Sequence, residues 1–389
     1  MGYISSSENR FYVALEQSYG TAGTVAAANR IPAVKLTAKQ RQEKVERKDK
    51  TGSRTFAGNP AGLRKETTFE LRTYMTNWAD QNALPAYWPL FQACLGGGAM
   101  QSAGGAIASA SDASTIGFSN PHGLSPGQAV VSGGEIRFAA AILNSQTVQL
   151  NAPFSVTPSS GAPTGPTAAL QPATDLSSLT IFDYWSPSSS VQRILTGVAV
   201  DTFTVSVNGD FHEFIFSGPA QDILDSASFV SGQCGLSAFP TEPEVAGLNY
   251  SIVPGHLGQV WLGSTPNQFF TLTKAKISFD NDIELRTREF GSSLPRGIAP
   301  GLRTVSLDFS IYQQDDAATA ALYQAARQRS PISVMLQLGQ QQGQLFGIYM
   351  KSVIPEVPEF DDSDRRQQWQ FPSCRAQGSM DDEMFIAFG

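Results

Sequence analysis

Residues 197–216, GVAVDTFTVSVNGDFHEFIF, decide the fold class. Apolar side chains recur at Val198, Val200, Phe203, Val205 and Val207 with small or polar residues between them, which predicts a strand over Gly197 to Val207. Asn208-Gly209 is a strong hairpin-turn signal. Phe214 and Phe216 then return in step, so Phe211 to Phe216 reads as the second strand of a hairpin.

Upstream, Thr67 to Met75 (TTFELRTYM) places Phe69, Leu71 and Thr73 on one face of a half-buried strand. Ile31 to Thr37 is a further strand-like run. The charged stretch from Lys39 to Arg54 has no helical period and runs into Gly52, Gly58, Pro60 and Gly62. It reads as two strand ends joined by a long exposed loop. Leu84 to Leu95 spaces Tyr87, Leu90, Phe91, Cys94 and Leu95 as a helix does; Pro85 and Pro89 shorten it, and Gly96-Gly97-Gly98 closes it. Residues 1–30 are polar and small, with a turn at Gln17-Ser18-Tyr19-Gly20-Thr21.

The 389 residues are more than one core usually holds. Only 16% are charged, while Gly (35) and Pro (23) are plentiful, a mix that suits short strands joined by turns. The net charge is −7, and duplex-DNA binders that work by neutralising phosphate tend to be basic. Cys94, Cys234 and Cys374 form no CxxC pair and read as free thiols. No basic, then apolar, leader opens the sequence, and no run approaches the ~18 apolar residues of a membrane span.

Two stretches rich in Ala, Ser, Gly, Pro and Thr, 99–111 and 155–178, read as flexible joints. Between them Thr115 to Phe118, Ala129 to Val131, Ile136 to Ala140 and Thr147 to Leu150 form a small inserted β module at about 112–158. The second half then echoes the first at a shift of about 238–239 residues. Phe270 to Phe279 is a strand leading into a charged loop. Gly301-Leu302-Arg303 matches Gly62-Leu63-Arg64, Thr304 to Tyr312 matches the strand ending at Tyr74, and the helix Ala317 to Arg329 matches Leu84 to Leu95. Leu345 to Val353, the acidic turn Glu359 to Asp364, Gln368 to Phe371 and Met384 to Phe388 correspond to the Gly197–Phe216 hairpin. The division is 1–235 for the first β domain, with its insert, and 236–389 for the second.

Outside roughly 100–180, the chain resembles the tail tube proteins of siphophages. The features that carry this are Glu16-Gln17-Ser18-Tyr19-Gly20-Thr21, the charged Gly-ended loop between two strands, the proline-flanked helix ending in Leu95-Gly96-Gly97, and the C-terminal stretch. That stretch holds Trp369-Gln370-Phe371, Gly378, Asp382-Glu383 and Ile386-Ala387-Phe388-Gly389. The resemblance implies a mainly β fold: two tandem β-sandwich or half-barrel domains, each with one short flanking helix and a long charged hairpin loop, plus the inserted β module. It implies a structural virion protein, not an enzyme and without a cofactor, that stacks as rings into the tube through which DNA is ejected. Most family members carry one such domain per chain, and the family assembles as stacked hexameric rings. Two domains per chain imply a homotrimeric, pseudo-hexameric ring. The expected partners are further copies of the chain, the terminator, tape-measure and distal tail proteins at the tube ends, and DNA in transit, with no membrane. The expected location is the virion tail, after synthesis in the bacterial cytoplasm.

The charges supply candidate stacking surfaces. Arg30 to Lys65 holds eleven basic and three acidic residues, a net of +8. Within it Lys39, Arg41, Lys44, Arg47, Lys48, Lys50 and Arg54 form the candidate ring-stacking loop. Pro355 to Gly389 holds eight acidic and three basic residues, a net of −5, with Asp361, Asp362, Asp364, Asp381, Asp382 and Glu383 as the complementary acidic edge. Such contacts set register and specificity more than affinity. The three histidines, His122, His212 and His256, lack ligand spacing, so no metal site is expected, and His122 reads as a turn residue. Asp361-Asp362-Ser363-Asp364 lacks the Gly and distant Glu of a calcium loop. Gly123-Leu124-Ser125-Pro126-Gly127 matches Gly-x-Ser-x-Gly, but it falls in a turn cluster between short strands and not on a strand-to-helix elbow, so no nucleophile is expected there. The alternative is a β-sandwich receptor- or carbohydrate-binding protein of the tail tip or virion surface, which predicts an exposed aromatic patch, with Trp185 and Trp261 as first candidates.

Overall fold

The elements run in a long antiparallel series. β1 (Asn9–Leu15), β2 (Arg30–Ile31), β3 (Ala33–Gln42) and β4 (Lys65–Tyr74) lead to helix α1 (Trp88–Leu95). Short strands follow: β5 (Met100–Ser102), β6 (Ile107–Ala110), β7 (Thr115–Phe118), β8 (Ala129–Ser132), β9 (Glu135–Asn144), β10 (Thr147–Leu150) and β11 (Thr167–Leu170). Then come β12 (Leu179–Trp185), β13 (Arg193–Val198), β14 (Thr202–Val207), β15 (Glu213–Ala220) and β16 (Asp222–Asp225). The second half holds β17 (Gly258–Gly263), β18 (Asn267–Gln268), β19 (Leu272–Asp280), β20 (Glu284–Leu285), β21 (Ile298–Ala299), β22 (Thr304–Tyr312) and helix α2 (Ala317–Gln328). It closes with β23 (Ile332–Leu338), β24 (Phe346–Ile354), β25 (Glu359–Asp361), β26 (Gln368–Ala376) and β27 (Phe385–Phe388). This computed structural model describes residues 3–42, 49–50, 52–56, 58, 64–110, 112–244, 250–363 and 365–389. The fold is mainly β, with 44% strand and a curled half-barrel sheet.

The pairing order of the first half recurs in the second. In the first, β2–β1–β12–β13–β16 form one sheet and β3–β4–β15–β14 lie side by side in another. In the second, β18–β17–β23–β24–β27 and β19–β22–β26–β25 repeat both orders. β14 pairs with β19 from Thr202↔Asp280 to Val207↔Ala275, so the two four-strand sets form one continuous eight-strand surface.

Alternation explains that surface. Phe69 and Leu71, Phe214 and Phe216, Phe203 and Val205, Ile277 and Phe279, Leu307 and Phe309, and Phe371 all point into one core. Phe91 of α1 sits at its centre, with its ring 5.0 Å from Phe203 and 5.1 Å from Phe216, and 5.4 Å from Phe346 and 5.5 Å from Phe388 of the second half. Gly96 ends α1 at φ 85, where an added Cβ would lie 2.4 Å from the Asp175 carbonyl oxygen, so glycine is required there. Asp316 caps α2 by accepting from the Thr319 amide at 2.7 Å.

Several expectations need correction. Gly197 to Val207 is not one strand: β13 ends at Val198, Gly197 takes φ 57, and β14 begins at Thr202 in the other sheet. The hairpin tip is wider than a two-residue turn, since pairing stops at Ser206↔Glu213. Its backbone is stitched elsewhere: the Asn208 amide donates to the Gly255 carbonyl at 3.0 Å, and the Gly255 amide to that of Asp210 at 3.1 Å. Pro32 breaks the expected Ile31–Thr37 strand into β2 and β3, because it has no amide to donate. The N-terminal stretch read as polar and small contains β1, an interior strand of its sheet between β12 and β2.

The stretches read as joints also carry strands. β11 pairs with β5 on one side and β27 on the other, at Ala168↔Gln101 and Ala168↔Phe388. Ala168 and Ala169 are fully buried, so small side chains here serve close packing and not flexibility. β6 to β10 form the module's own five-stranded sheet, around Ile107, Ile116, Val148 and Leu150. The module's other flank covers the second half's sheet, with Phe138 stacked at 5.6 Å on Tyr349.

Candidate assembly surfaces

β3 is an edge strand. Among the described residues it pairs on one side only, with β4 from Ala33↔Thr73 to Gln42↔Lys65. Lys35, Lys39 and Arg41 are exposed on it, while Leu36 and Ala38 turn toward the core. Gln40 also turns inward and donates to Asp222 Oδ1 at 2.7 Å; the Lys65 Nζ reaches the same carboxylate at 3.1 Å. An exposed edge of ten residues presents a row of backbone donors and acceptors for another strand. Lys50 and Arg54 are exposed beyond it. Lys44, Arg47 and Lys48 lie outside the described residues, as do Gly62 and Leu63.

The acidic candidates fall into two groups with different chemistry. Asp381, Asp382 and Glu383 lie between β26 and β27 and are each ion-paired within the chain, three carboxylates against two cations. Arg303 reaches Asp381 at 2.7 Å and Glu383 at 3.0 Å, with its guanidinium 5.9 Å from the Phe279 ring centre; Lys351 pairs with Asp382. Burial works to raise the Asp382 pKa, but Lys351 and Ser379 outweigh it and hold the group below its ordinary value. Arg303, the last residue of the Gly301-Leu302-Arg303 echo, holds two of these three carboxylates.

Asp361 and Asp362 belong to the other group, at the end of β25, and Asp364 lies outside the described residues. The Ser363 hydroxyl and amide donate to Asp361 Oδ1 at 2.6 and 3.0 Å, and hold its pKa low. Among the described residues β25 pairs only with β26, at Glu359↔Gln370, Phe360↔Trp369 and Asp361↔Gln368. Glu359 is exposed, and Phe360 keeps 55% of its surface in solvent although it leans on Trp369 and Tyr323. The eight-strand surface therefore ends in a basic free edge, β3, and a short acidic one, β25. Its outer face carries Thr202, Thr204, Ser206, Ser217, Ser278, Ser306 and Ser310, with charges of both signs such as Glu70, Lys276 and Asp308.

Two buried polar clusters join residues far apart in the sequence. Arg137 on β9 is fully buried and all five guanidinium donors find an acceptor. Nε donates to the Pro153 carbonyl at 2.9 Å; Nη1 to the Ile136 carbonyl at 2.8 Å and Gln337 Oε1 at 3.1 Å; Nη2 to Glu135 at 2.6 Å and Gln259 at 2.8 Å. Its plane lies 5.2 Å from the Trp261 ring centre and 5.5 Å from that of Phe154. Trp261 is thus buried under an arginine and does not form an exposed sugar platform, while Trp185 is half-buried at the end of β12. Glu16 is the second cluster. It accepts from the Gly20 and Gly197 amides at 2.8 Å each, from Ser178 Oγ at 2.6 Å and from Thr180 Oγ1 at 2.8 Å.

Among the described residues no group of three or more His, Cys, Asp or Glu is placed to hold a metal ion. His122 bridges a turn in the module, Nε2 lying 3.0 Å from the Asn144 carbonyl and Nδ1 accepting from the Leu124 amide. Cys94 and Cys374 are buried free thiols, and Cys234 is a half-buried one. No protein-family model matches the chain, and no curated protein matches it.

Proposed function

We propose that this chain is the tail tube subunit of a long-tailed bacteriophage, built from two tandem tube-like half-barrel domains, with the β module inserted in the first. The observation that carries the reading is the repeated strand order, joined edge to edge through β14 and β19 and left with a free edge at each end. A sheet with two unlike free edges propagates head to tail, and it either closes as a ring or runs on as a filament.

Magnitude favours three chains. Strands lie about 4.8 Å apart and side chains reach about 5 Å from a sheet. Three chains of eight strands give a wall of twenty-four, a circumference of about 115 Å and, after side chains, a bore of about 27 Å before any strand tilt. Two chains leave about 14 Å, too narrow for a DNA duplex. In this reading the hydroxyl-rich outer face lines the bore, and mixed charge gives passing phosphates no continuous basic track to bind. Stacked rings form the conduit, and terminator, tape-measure and distal tail proteins meet its ends.

Electron microscopy of the purified protein tests the reading. It predicts rings or hollow tubes. A protein that stays monomeric at high concentration and binds glycans would replace it with the receptor-binding alternative.

A further inference from the structure

We infer that the junction inside the chain is the template for the junction between chains: β25 of one copy pairs antiparallel with β3 of the next, with Glu359 opposite Lys39, Phe360 opposite Ala38 and Asp361 opposite Thr37. This rests on the tube reading above and specifies its ring contact, and it assigns Lys39 and Asp361 to the junction within a ring in place of the stacking contact between rings expected of them.

The register follows from equivalent pairings. Phe360 faces Trp369 on β26 as Val205 faces Phe214 on β15, so Phe360 stands where Val205 stands. Trp369 in turn faces Ile311 on β22 as Phe214 faces Thr73 on β4. With β4 and β22 thus aligned, Leu36 and Ala38, opposite Leu71 and Phe69, correspond to Ala275 and Ile277, opposite Phe309 and Leu307. Inside the chain Val205 faces Ile277, Thr204 faces Ser278 and Ser206 faces Lys276. Moving that ladder to the free edges sets Phe360 on Ala38, Glu359 on Lys39 and Asp361 on Thr37.

Two independent features agree with the transferred register. The first is charge: it places Glu359 directly opposite Lys39 and diagonal to Arg41, and Asp361 diagonal to Lys35 and Lys39, whereas a slip of one residue would turn these side chains to opposite faces. The second is an apolar side chain left in solvent at the right position. Phe360 is 55% exposed, while Val205 at the equivalent internal position is 2% exposed. Its ring would cover Ala38, a small residue, where Val205 covers the larger Ile277, so the sum of sizes across the pair is kept.

The test uses the full chain with Cys234→Ser, which leaves only buried thiols. Lys39→Cys with Glu359→Cys, treated with a short bismaleimide, should give covalent dimers and closed trimers on a denaturing gel. Lys35→Cys with Glu359→Cys should give at least fivefold less, because four residues add about 13 Å along the strand. Each single-cysteine variant should stay monomeric on the gel. As a second arm, Lys39→Glu or Glu359→Lys alone should raise the concentration needed for assembly about fivefold, and the two together should restore it. Rings or tubes that form normally while the 39/359 pair links no better than the 35/359 pair would overturn this junction and leave the tube reading intact. A parent protein that forms no rings defeats the tube reading itself.

Discussion

Val205 lies opposite Ile277 across the ladder that joins β14 to β19, and both side chains are buried in the core that also surrounds Phe91. The two halves of the chain are therefore coupled by a paired backbone and by shared apolar packing.

That coupling predicts one cooperative unit. Ile277→Ala removes buried methyl groups and should cost about 2–5 kcal/mol. Calorimetry should show a single unfolding transition shifted down as a whole. Two transitions, of which one keeps its parent temperature, would show that the halves unfold independently.

Arg137 should fix the module to the second half. Arg137→Met leaves Glu135 without its ion pair and takes donors from Gln259 and Gln337, a change expected to cost about 3–5 kcal/mol. Limited proteolysis should then cut first within 99–178, while the remaining sheets persist. Unchanged resistance there would show that Phe138 and Tyr349 hold the module without the arginine.

Glu16 should make stability depend on pH. Burial raises its pKa above the ordinary carboxylate value, and the Ser178, Gly197, Thr180 and Gly20 donors offset this only in part. The folded protein then keeps the proton to higher pH than the unfolded chain does. This contribution to stability is full below the ordinary carboxylate pKa, falls as pH rises through the raised value, and is flat above it. Glu16→Gln should remove that slope and, by leaving a buried donor unpaired, cost about 1–3 kcal/mol. Denaturant titrations of both proteins across the mildly acidic range give the comparison; identical pH slopes would rule out the assignment.

Strands with one wet face were legible in the sequence, and strands with two dry faces were not. Thr304 to Tyr312 alternates strictly and is β22 to the residue, and Thr115 to Phe118 and Thr147 to Leu150 are likewise β7 and β10. β1 carries no alternation because Phe11 and Val13 face one core while Tyr12 and Ala14 face another, which erases the period of two. β12 and β23 lack a period of two for the same reason: Leu179 and Ile181 oppose Phe182 and Tyr184, and Val334 and Leu336 oppose Met335. At the candidate surfaces, the basic strand stood out as a charge run. The division of the acidic residues did not, because Arg303 sits 78 positions from Asp381 and only the fold brings them together.

Rotational symmetry of the assembled ring tests the central claim most directly. Native mass spectrometry with end-on image averages of the purified rings should give three chains per ring, with six similar lobes around the bore and three extra densities from the inserted modules. Six chains per ring, or three chains without the sixfold-like inner wall, would contradict the account.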